Sequence, residues 1–567
     1  MHATRRSPAA LAATTLLAAL AACGGNDDDN TGPPRLAAAT PATLSGNCAD
    51  LAARLTTLAN TTITATTDVA AGTLMVAGQP VAQHCHVTGS MYPRTGIDGN
   101  AYAIGFEMRL PNNWNGRFFY QANGGIDGSV VTATGAVNGG AGLTNALHMG
   151  FAVISSDAGH SGALGPNFGI DPQARLDYGY QAVQKLTPMA KSLIQTAYGK
   201  QPDRSYIGGC SNGGRHTMVA MSRFADQYDG YLAGAPGYNL PKAAIANIFG
   251  AQRYALIDSA NLANAFTAAE RTTVANAVLA RCDALDGATD GLVQDVEACR
   301  SAFNLATDVP TCPGARDGSC LTTSQKVAIA PTFSGATTST GRSFYASFPY
   351  DPGIASGGIP FWEFTAPVLL DTGGVAQIWK VPPEPVAGFN GPAFALNLNI
   401  DLALQWIETT NATYTESAMS FMTPPNPTQL GTLKNRGAKV MVYHGVADPI
   451  FSVDDTKAWY DGLRANNGGD ASSFAKFYRV PGMAHCSGGP ATDQFDMLTP
   501  LVAWVEQGIE PQAVTATARG TGNAAGTNLE VPTAWGAART RPLCPYPKVA
   551  RYNGTGDVNL AASFSCQ

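Results

Sequence analysis

Two nucleophilic side chains stand next to each other in "GGCSNGGR" (208–215): Cys210 and Ser211. A serine hydroxyl does chemistry only with a base in reach and a group that orients the base. The chain offers His485 in "PGMAHCSGG" and Asp448 in "YHGVADP", each in a loop that follows a run with strand character. Asp454 and Asp455 are rival acids, but they open a helical pattern and read as N-terminal cap charges. Of the other histidines, His2 lies in the leader, His84 and His86 flank Cys85, and His216 follows the nucleophile on a helix. His148, His160 and His444 read as core or supporting groups.

Gly209-Cys210-Ser211-Asn212-Gly213 fits G-x-S-x-G, with a short strand before it and a helix-compatible run after it. That context gives the pattern a mechanism: a sharp strand-to-helix turn presents the central side chain, and small flanking residues let the backbone pass. The apex is Ser211. Nucleophile, acid and base then run in the order Ser, Asp, His, the order used by α/β-hydrolases. The oxyanion formed on attack needs two amide donors. One is Asn212; the other is expected from the turn "QANGGIDG", at Gly125 with Gly124 as the alternative.

The cysteines bear on which neighbour reacts. The leader has Arg5 and Arg6, an apolar run to Ala22, and then "LAACGG", so Cys23 is expected to be acylated after cleavage, with "GGNDDDNTGPP" as a tether. Removing Cys23 from the 11 cysteines leaves ten, an even number in a chain expected to be exported. Local spacing suggests Cys48/Cys85, Cys282/Cys299, Cys312/Cys320 and Cys544/Cys566, leaving Cys210 and Cys486 for each other. Spacing alone does not fix this connectivity. On this pairing Cys210 braces the nucleophile turn against the histidine loop, and Ser211 is the nucleophile.

The elements that must hold these groups alternate between strand and helix, which implies a parallel sheet with crossovers. "AYAIGFEMRLP" reads as a half-buried strand, "GRFFYQANGG" and "FAVISSDAG" as short buried ones, and "RLDYGYQAVQKLTPMAKSLIQTAYG" as a helix. The same grammar returns after Gly431. Residues 238–430 differ: they are rich in Thr, Ala, Pro and Gly and hold two cysteine pairs. The expected organisation is a signal peptide over 1–22, a tether over 23–40, an α/β core over 41–237 and 431–567, and an inserted lid over 238–430. The whole chain carries a net charge of −6; loss of two arginines with the leader makes −6 − 2 = −8. With no basic runs, nucleic acid is not expected as a partner.

Cys210-Ser211, Asp448 and His485-Cys486, together with the C-terminal stretches "HCSGGPATDQFDMLTPLVAWVEQG" and "ARTRPLCPYPKVARYNGTGDVNLAASFSC", resemble the tannase and feruloyl esterase family. The resemblance runs from about Cys48 to the end. It implies an α/β-hydrolase core, an inserted lid, five disulfides and a structural calcium ion in the lid. The calcium ligands it implies are Asp283, Asp286 and Asp290 with the carbonyls of Ala288 and Leu292, in "CDALDGATDGLVQD". Closely spaced carboxylates interrupted by glycines suit a hard cation, though this is not EF-hand spacing. Family members that hydrolyse terephthalate monoesters clamp the free carboxylate with a lid arginine. Here no arginine lies between Arg342 and Arg436, and Lys380 is the only cation before Lys434. Phe361 and Trp362 could stack on an aromatic acyl group. The expectation is a monomeric, exported serine esterase of small aromatic esters, such as hydroxycinnamates or gallates, meeting the membrane only through a lipid anchor at the outer membrane or else periplasmic or secreted. Terephthalate monoester hydrolysis and a catalytically inactive surface binding protein are the alternatives.

Overall fold

The structure, a computed structural model, describes residues 34–136, 142 and 144–567; the expected signal peptide, Cys23 and the first part of the tether lie outside the described residues. Its centre is a nine-stranded sheet. The strands are β1 (Thr61–Val69), β2 (His84–Thr95), β3 (Ala101–Pro111), β4 (Arg117–Gln121), β5 (Ala152–Ser156), β6 (Arg204–Cys210), β7 (Gly230–Gly234), β8 (Lys439–Gly445) and β9 (Ala475–Val480). They lie in the order β9-β8-β7-β6-β4-β5-β3-β2-β1.

From β9 across to β5 every neighbouring pair is parallel. The remaining pairs, β5 with β3, β3 with β2 and β2 with β1, are antiparallel. The sheet is therefore mixed, not parallel throughout as expected: β1, β2 and β3 follow one another without crossover helices, so each must reverse direction. β3 departs from its expected half-buried character as well. Its first residues alternate between burial and partial exposure, but from Phe106 to Pro111 all are buried, because that half lies between β2 and β5 with both faces covered.

Alternation along the parallel strands sends successive side chains to opposite faces. Ile207, Ala233, Val440, Val442 and Phe477 join one apolar cluster; Tyr206, Leu232, Met441, Tyr443 and Tyr478 join another. Helices α1 (Ala182–Tyr198) and α2 (Asn212–Arg223) cover the first face with Leu186, Leu193, Met218 and Met221. Between β7 and β8, residues 235–438 add no strand to this sheet. They begin with α3 (Leu240–Ala255), whose Ile245, Ile248 and Phe249 pack with Phe168, Tyr178 and Trp379, and they enclose the Cys282–Cys299 and Cys312–Cys320 disulfides. After β8, α4 (Val453–Ala465) returns to the first face, and α5 (Leu498–Gln507) covers the second with Leu498, Leu501 and Trp504.

Two helix boundaries differ from the sequence pattern. The expected helix ahead of β6 is broken by a π-helical turn at Asp177–Gln181 and ends at Gly199, which takes φ 78°. The N-cap of α4 is Ser452, whose hydroxyl accepts from the Asp454 amide, so Asp454 and Asp455 belong to the first turn.

Candidate active site

β6 delivers the chain to Ser211, which holds φ 66° and ψ −126°, a strained conformation for a residue with a side chain. Glycines make the turn possible. A Cβ on Gly209 would stand 2.2 Å from the Ala122 carbonyl oxygen, one on Gly213 2.3 Å from that same oxygen, and one on Gly214 2.4 Å from the Gly234 oxygen. The Ser211 amide donates to the Gly234 carbonyl at 3.0 Å, which fixes the apex above the carboxyl ends of β6 and β7.

The expected partners converge there. His485 Nε2 lies 2.8 Å from Ser211 Oγ, and His485 Nδ1 lies 2.7 Å from Asp448 Oδ2. Asp448 leaves the end of β8 and is almost wholly buried. Its Oδ1 accepts from the Ile450 and Phe451 amides at 3.0 and 3.1 Å. Burial alone would raise its pKa, but the His485 and His444 imidazoles hold it well below the usual carboxylate range. His444 sits 3.3 Å from Asp448 Oδ2, and it also contacts the Phe451 carbonyl and the Thr456 hydroxyl. Neither rival acid faces the imidazole: Asp454 binds Arg300, and Asp455 binds Asn239.

Cys210 and Cys486 form a disulfide with Cα atoms 6.0 Å apart, joining residues on either side of the Ser211–His485 contact. The other four bridges are Cys48–Cys85, Cys282–Cys299, Cys312–Cys320 and Cys544–Cys566. Cys210 is therefore not a free thiol.

Gly124 packs beside the nucleophile: a Cβ there would meet the Cys210 oxygen at 3.6 Å and Ser211 Cβ at 3.8 Å. Gly125 takes φ 62°, and its α-carbon faces open space. Among the described residues, no hydrogen bond engages the amide N–H of Gly125 or Asn212. Trp362 stands edge-on to the His485 ring with centroids 5.1 Å apart, and Phe451 also stands edge-on to it at 5.4 Å. Phe361 packs on Trp362 and is substantially exposed. Lys380 pairs with Glu384 at 2.6 Å. A cavity of about 720 Å³ opens in the insertion among Phe303, Lys326, Phe333 and Tyr350, with no wall contributed by Ser211, Asp448 or His485.

The site also holds two groups that the sequence reading did not single out, Asp127 and Arg215, and both engage side chains it did name. Asn212 Nδ2 donates to Asp127 at 2.8 Å, His216 lies 2.9 Å from that carboxylate, and buried Arg215 donates to Asn212 Oδ1 at 2.6 Å. The only signal in the sequence was the position of Asp127 inside the glycine-rich turn.

The acidic turn at 283–292 is compact. Asp283 accepts from the Asp290 and Gly291 amides, and Asp286 from those of Ala288 and Gln294. Burial, reinforced by Asp290 and Asp283, raises Asp286 to about 7. No hydrogen bond reaches the carbonyls of Ala288 or Leu292 among the described residues. Asp290 pairs with buried Arg541, and no three His, Cys, Asp or Glu side chains among the described residues meet closely enough to hold a metal together.

Residues 85–567 match the family model described as "Tannase and feruloyl esterase". The chain belongs to the tannase and feruloyl esterase family. As a family member it is a carboxylic ester hydrolase. It is 39% identical over 538 residues to mono(2-hydroxyethyl) terephthalate hydrolase of Piscinibacter sakaiensis, covering 88% of this chain and 87% of that protein. It is 28% identical over 492 residues to probable feruloyl esterase B of Emericella nidulans, covering 82% and 84%. The solved structure of feruloyl esterase B from Aspergillus oryzae superposes with a TM-score of 0.71 at 22% identity, over 91% of this chain and all of that one. The nine-stranded sheet is thus the sheet of an α/β-hydrolase, and family membership puts ester cleavage at the chemistry this site can perform.

Proposed function

We propose that this tannase-family protein is a serine carboxylesterase that cleaves esters of aromatic acids, such as hydroxycinnamic, gallic or related phenolic acids, through an acyl-enzyme. The observation that carries the proposal is the line Ser211 Oγ, His485, Asp448, with hydrogen-bond distances of 2.8 and 2.7 Å. Ser211 attacks the ester carbonyl as His485 Nε2 takes its proton; Asp448 holds the Nδ1–H tautomer and stabilises the imidazolium. The amides of Asn212 and Gly125 receive the oxyanion. The imidazolium then protonates the leaving alcohol, and a water activated by His485 releases the acid. Exposed Phe361 and the Trp362 edge beside His485 support an aromatic acyl group, which stacking would orient.

Turnover of methyl ferulate, methyl gallate and mono(2-hydroxyethyl) terephthalate, each measured beside Ser211→Ala, tests the reading. Neutral aromatic esters should be hydrolysed and Ser211→Ala should be inert while still folded; near-normal activity in that variant would rule out Ser211. Terephthalate monoester hydrolysis is the second reading, favoured by the 39% identity to a hydrolase of that name. Against it, Lys380 is committed to Glu384 and the insertion has no arginine between Arg342 and Arg436. A KM for the terephthalate well below that for methyl ferulate would favour this second reading. An intact triad argues against the inactive binding-protein alternative, and labelling of Ser211 by a fluorophosphonate probe separates the two.

Calcium at the acidic turn is also our proposal. Asp283, Asp286 and Asp290 with the carbonyls of Ala288 and Leu292 form an all-oxygen donor set suited to a hard cation, and among the described residues no hydrogen bond engages the two carbonyls. Binding would require Asp290 to be shared with Arg541. Calcium would brace the insertion against the C-terminal strands and take no part in ester cleavage. Chelation should lower the melting temperature and remove about one calcium per chain; no change in either excludes the site. We further propose export with an acylated Cys23. The five disulfides fit an oxidising compartment, and among the described residues no helix is long and apolar enough to cross a membrane. Metabolic labelling with a palmitate analogue, lost in Cys23→Ala, tests the anchor.

A further inference from the structure

Asp127 joins the two segments that carry the candidate oxyanion donors, and its surroundings are built for that task. It lies two residues past Gly125, in left-handed backbone at φ 56°, with its carboxylate almost completely buried. The turn around it is pinned at several points. The Asp127 amide donates to the Gly124 carbonyl at 3.2 Å, the Gly128 amide to the Asp157 carbonyl at 3.0 Å, and His160 Nε2 to the Ile126 carbonyl at 2.8 Å. A single oxygen, Asp127 Oδ2, accepts from Asn212 Nδ2 at 2.8 Å and from His216 Nε2 at 2.9 Å.

The far side of this link is equally fixed. Asn212 Oδ1 accepts from Arg215 Nε at 2.6 Å, so both ends of the amide are committed. The fully buried Arg215 donates to the carbonyls of Gly179, Tyr178 and Met422, and it balances the buried carboxylate. Burial, and then Arg215, lower the His216 pKa, so its imidazole is neutral near pH 7. Arg215 Nη2 lies 3.3 Å from His216 Nδ1 and 3.2 Å from Nε2, so it does not choose the tautomer; the carboxylate 2.9 Å from Nε2 only accepts, which puts the proton on Nε2 facing Asp127. A buried carboxylate, a neutral imidazole, an amide and a guanidinium thus tie the turn bearing Gly125 to the helix bearing the Asn212 amide.

We infer that Asp127 is a positioning residue that sets the separation and aim of the two oxyanion donors. The inference rests on the esterase reading above. Oxyanion stabilisation depends on preorganised donors, and losing one donor outright costs about 10² to 10³ in kcat. Loosening the donors' support should cost less, about 10- to 100-fold.

The test uses the full mature chain and methyl ferulate. Asp127→Ala should lower kcat about 10- to 100-fold with KM within threefold. Asp127→Asn keeps an oxygen able to accept both hydrogen bonds and tolerates the left-handed backbone, so it should stay within about fivefold of wild type. Affinity for an aryl trifluoromethyl ketone, which mimics the tetrahedral intermediate, should fall in Asp127→Ala by the same factor as kcat/KM. Asn212→Ala leaves the backbone amide and the Asp127–His216 contact in place and removes one of the two links, along with the acceptor of Arg215 Nε; it should lower kcat by less than Asp127→Ala does, and Asp127→Ala/Asn212→Ala should be no worse than Asp127→Ala. If Asp127→Ala unfolds, Asn212→Ala alone decides. Unchanged kcat in Asn212→Ala, a loss seen only in KM, or fully additive losses would overturn the inference. A wild-type protein inert toward every ester, or an active Ser211→Ala, would remove the esterase reading and this inference with it.

Discussion

Replacing Gly209 with alanine should disable the site without touching any group that does chemistry. The added Cβ would lie 2.2 Å from the Ala122 carbonyl oxygen and 2.9 Å from the Gly213 backbone. Ordinary contact for a Cβ begins at about 3.4 Å, so the overlap exceeds about 1 Å and involves backbone on both sides, where no rotamer change relieves it. Ala122 cannot retreat freely, because its amide donates to the Gly208 carbonyl at 2.9 Å and continues the pairing of β4 with β6. The turn must move off β4 instead, carrying Ser211 away from a 2.8 Å contact with His485. A displacement of about 1 Å at a reacting group can cost about 10²-fold in rate, and overpacking of this kind costs about 1 to 3 kcal/mol of stability. We therefore expect kcat/KM for methyl ferulate to fall about 10²-fold and the melting temperature to drop by a few degrees. Gly431→Ala is the control, since a Cβ there meets nothing within 4 Å and its backbone is not left-handed. A Gly209→Ala enzyme within threefold of wild type and equally stable would refute the packing argument.

Other perturbations test separate links. Replacing Cys210 and Cys486 together with alanine opens a 276-residue loop, worth about 5 kcal/mol in the chain-entropy account; a lower melting temperature with lower kcat is expected, and unchanged kcat would mean that the bridge does not position His485. Asp448→Asn should fold yet lose on the order of 10⁴ in kcat, because an amide in place of Oδ2 no longer holds the Nδ1–H tautomer; a loss under tenfold would displace Asp448 as the acid. Burial raises Asp371 to about 7, with Asn247 its hydrogen-bond donor at 3.1 Å. Between the unfolded value of about 4 and that folded value, the native state keeps a proton that the unfolded state releases, so this group's effect is to lower stability as pH rises from 4 to 7. Asp371→Asn should flatten that part of the stability profile, by up to about 4 kcal/mol, and an unchanged profile would show that Asp371 ionises normally.

How far the sequence discloses such a site depends on whether the geometry is local. Ser211 was legible because the strand, the glycines and the helix that force the turn are contiguous, and the Cβ distances at Gly209 and Gly213 supply the physical reason for the motif. Asp448 and His485 were legible because each loop follows a buried strand, and parallel strands in one sheet bring such loops to one edge. The cysteine pairs followed from short spacing and an even number, with the long Cys210–Cys486 bridge left by subtraction. The antiparallel edge was not legible: β1, β2 and β3 show the same apolar alternation whichever way they run, and direction is decided by the lengths of their connections.

The groups that stayed hidden share one physical character. Asp127 meets Asn212 across 85 positions, and Arg541 meets Asp290 across 251. Each is a buried polar contact between distant segments: a glycine-rich turn with a helix start for Asp127, and an acidic turn with the C-terminal strand Thr540–Leu543 for Arg541. Burying such a group without its partner is costly, so these contacts are as constrained by the fold as the apolar core, yet they leave no periodic trace in the chain. Asp127 adds a functional consequence: the segment presenting Gly125 and the segment presenting Asn212 have no motif in common, and one carboxylate oxygen fixes their relation. In this fold each reacting group is announced by the local sequence around it, whereas the alignment of the proposed oxyanion donors rests on a contact between distant segments that leaves no such signature.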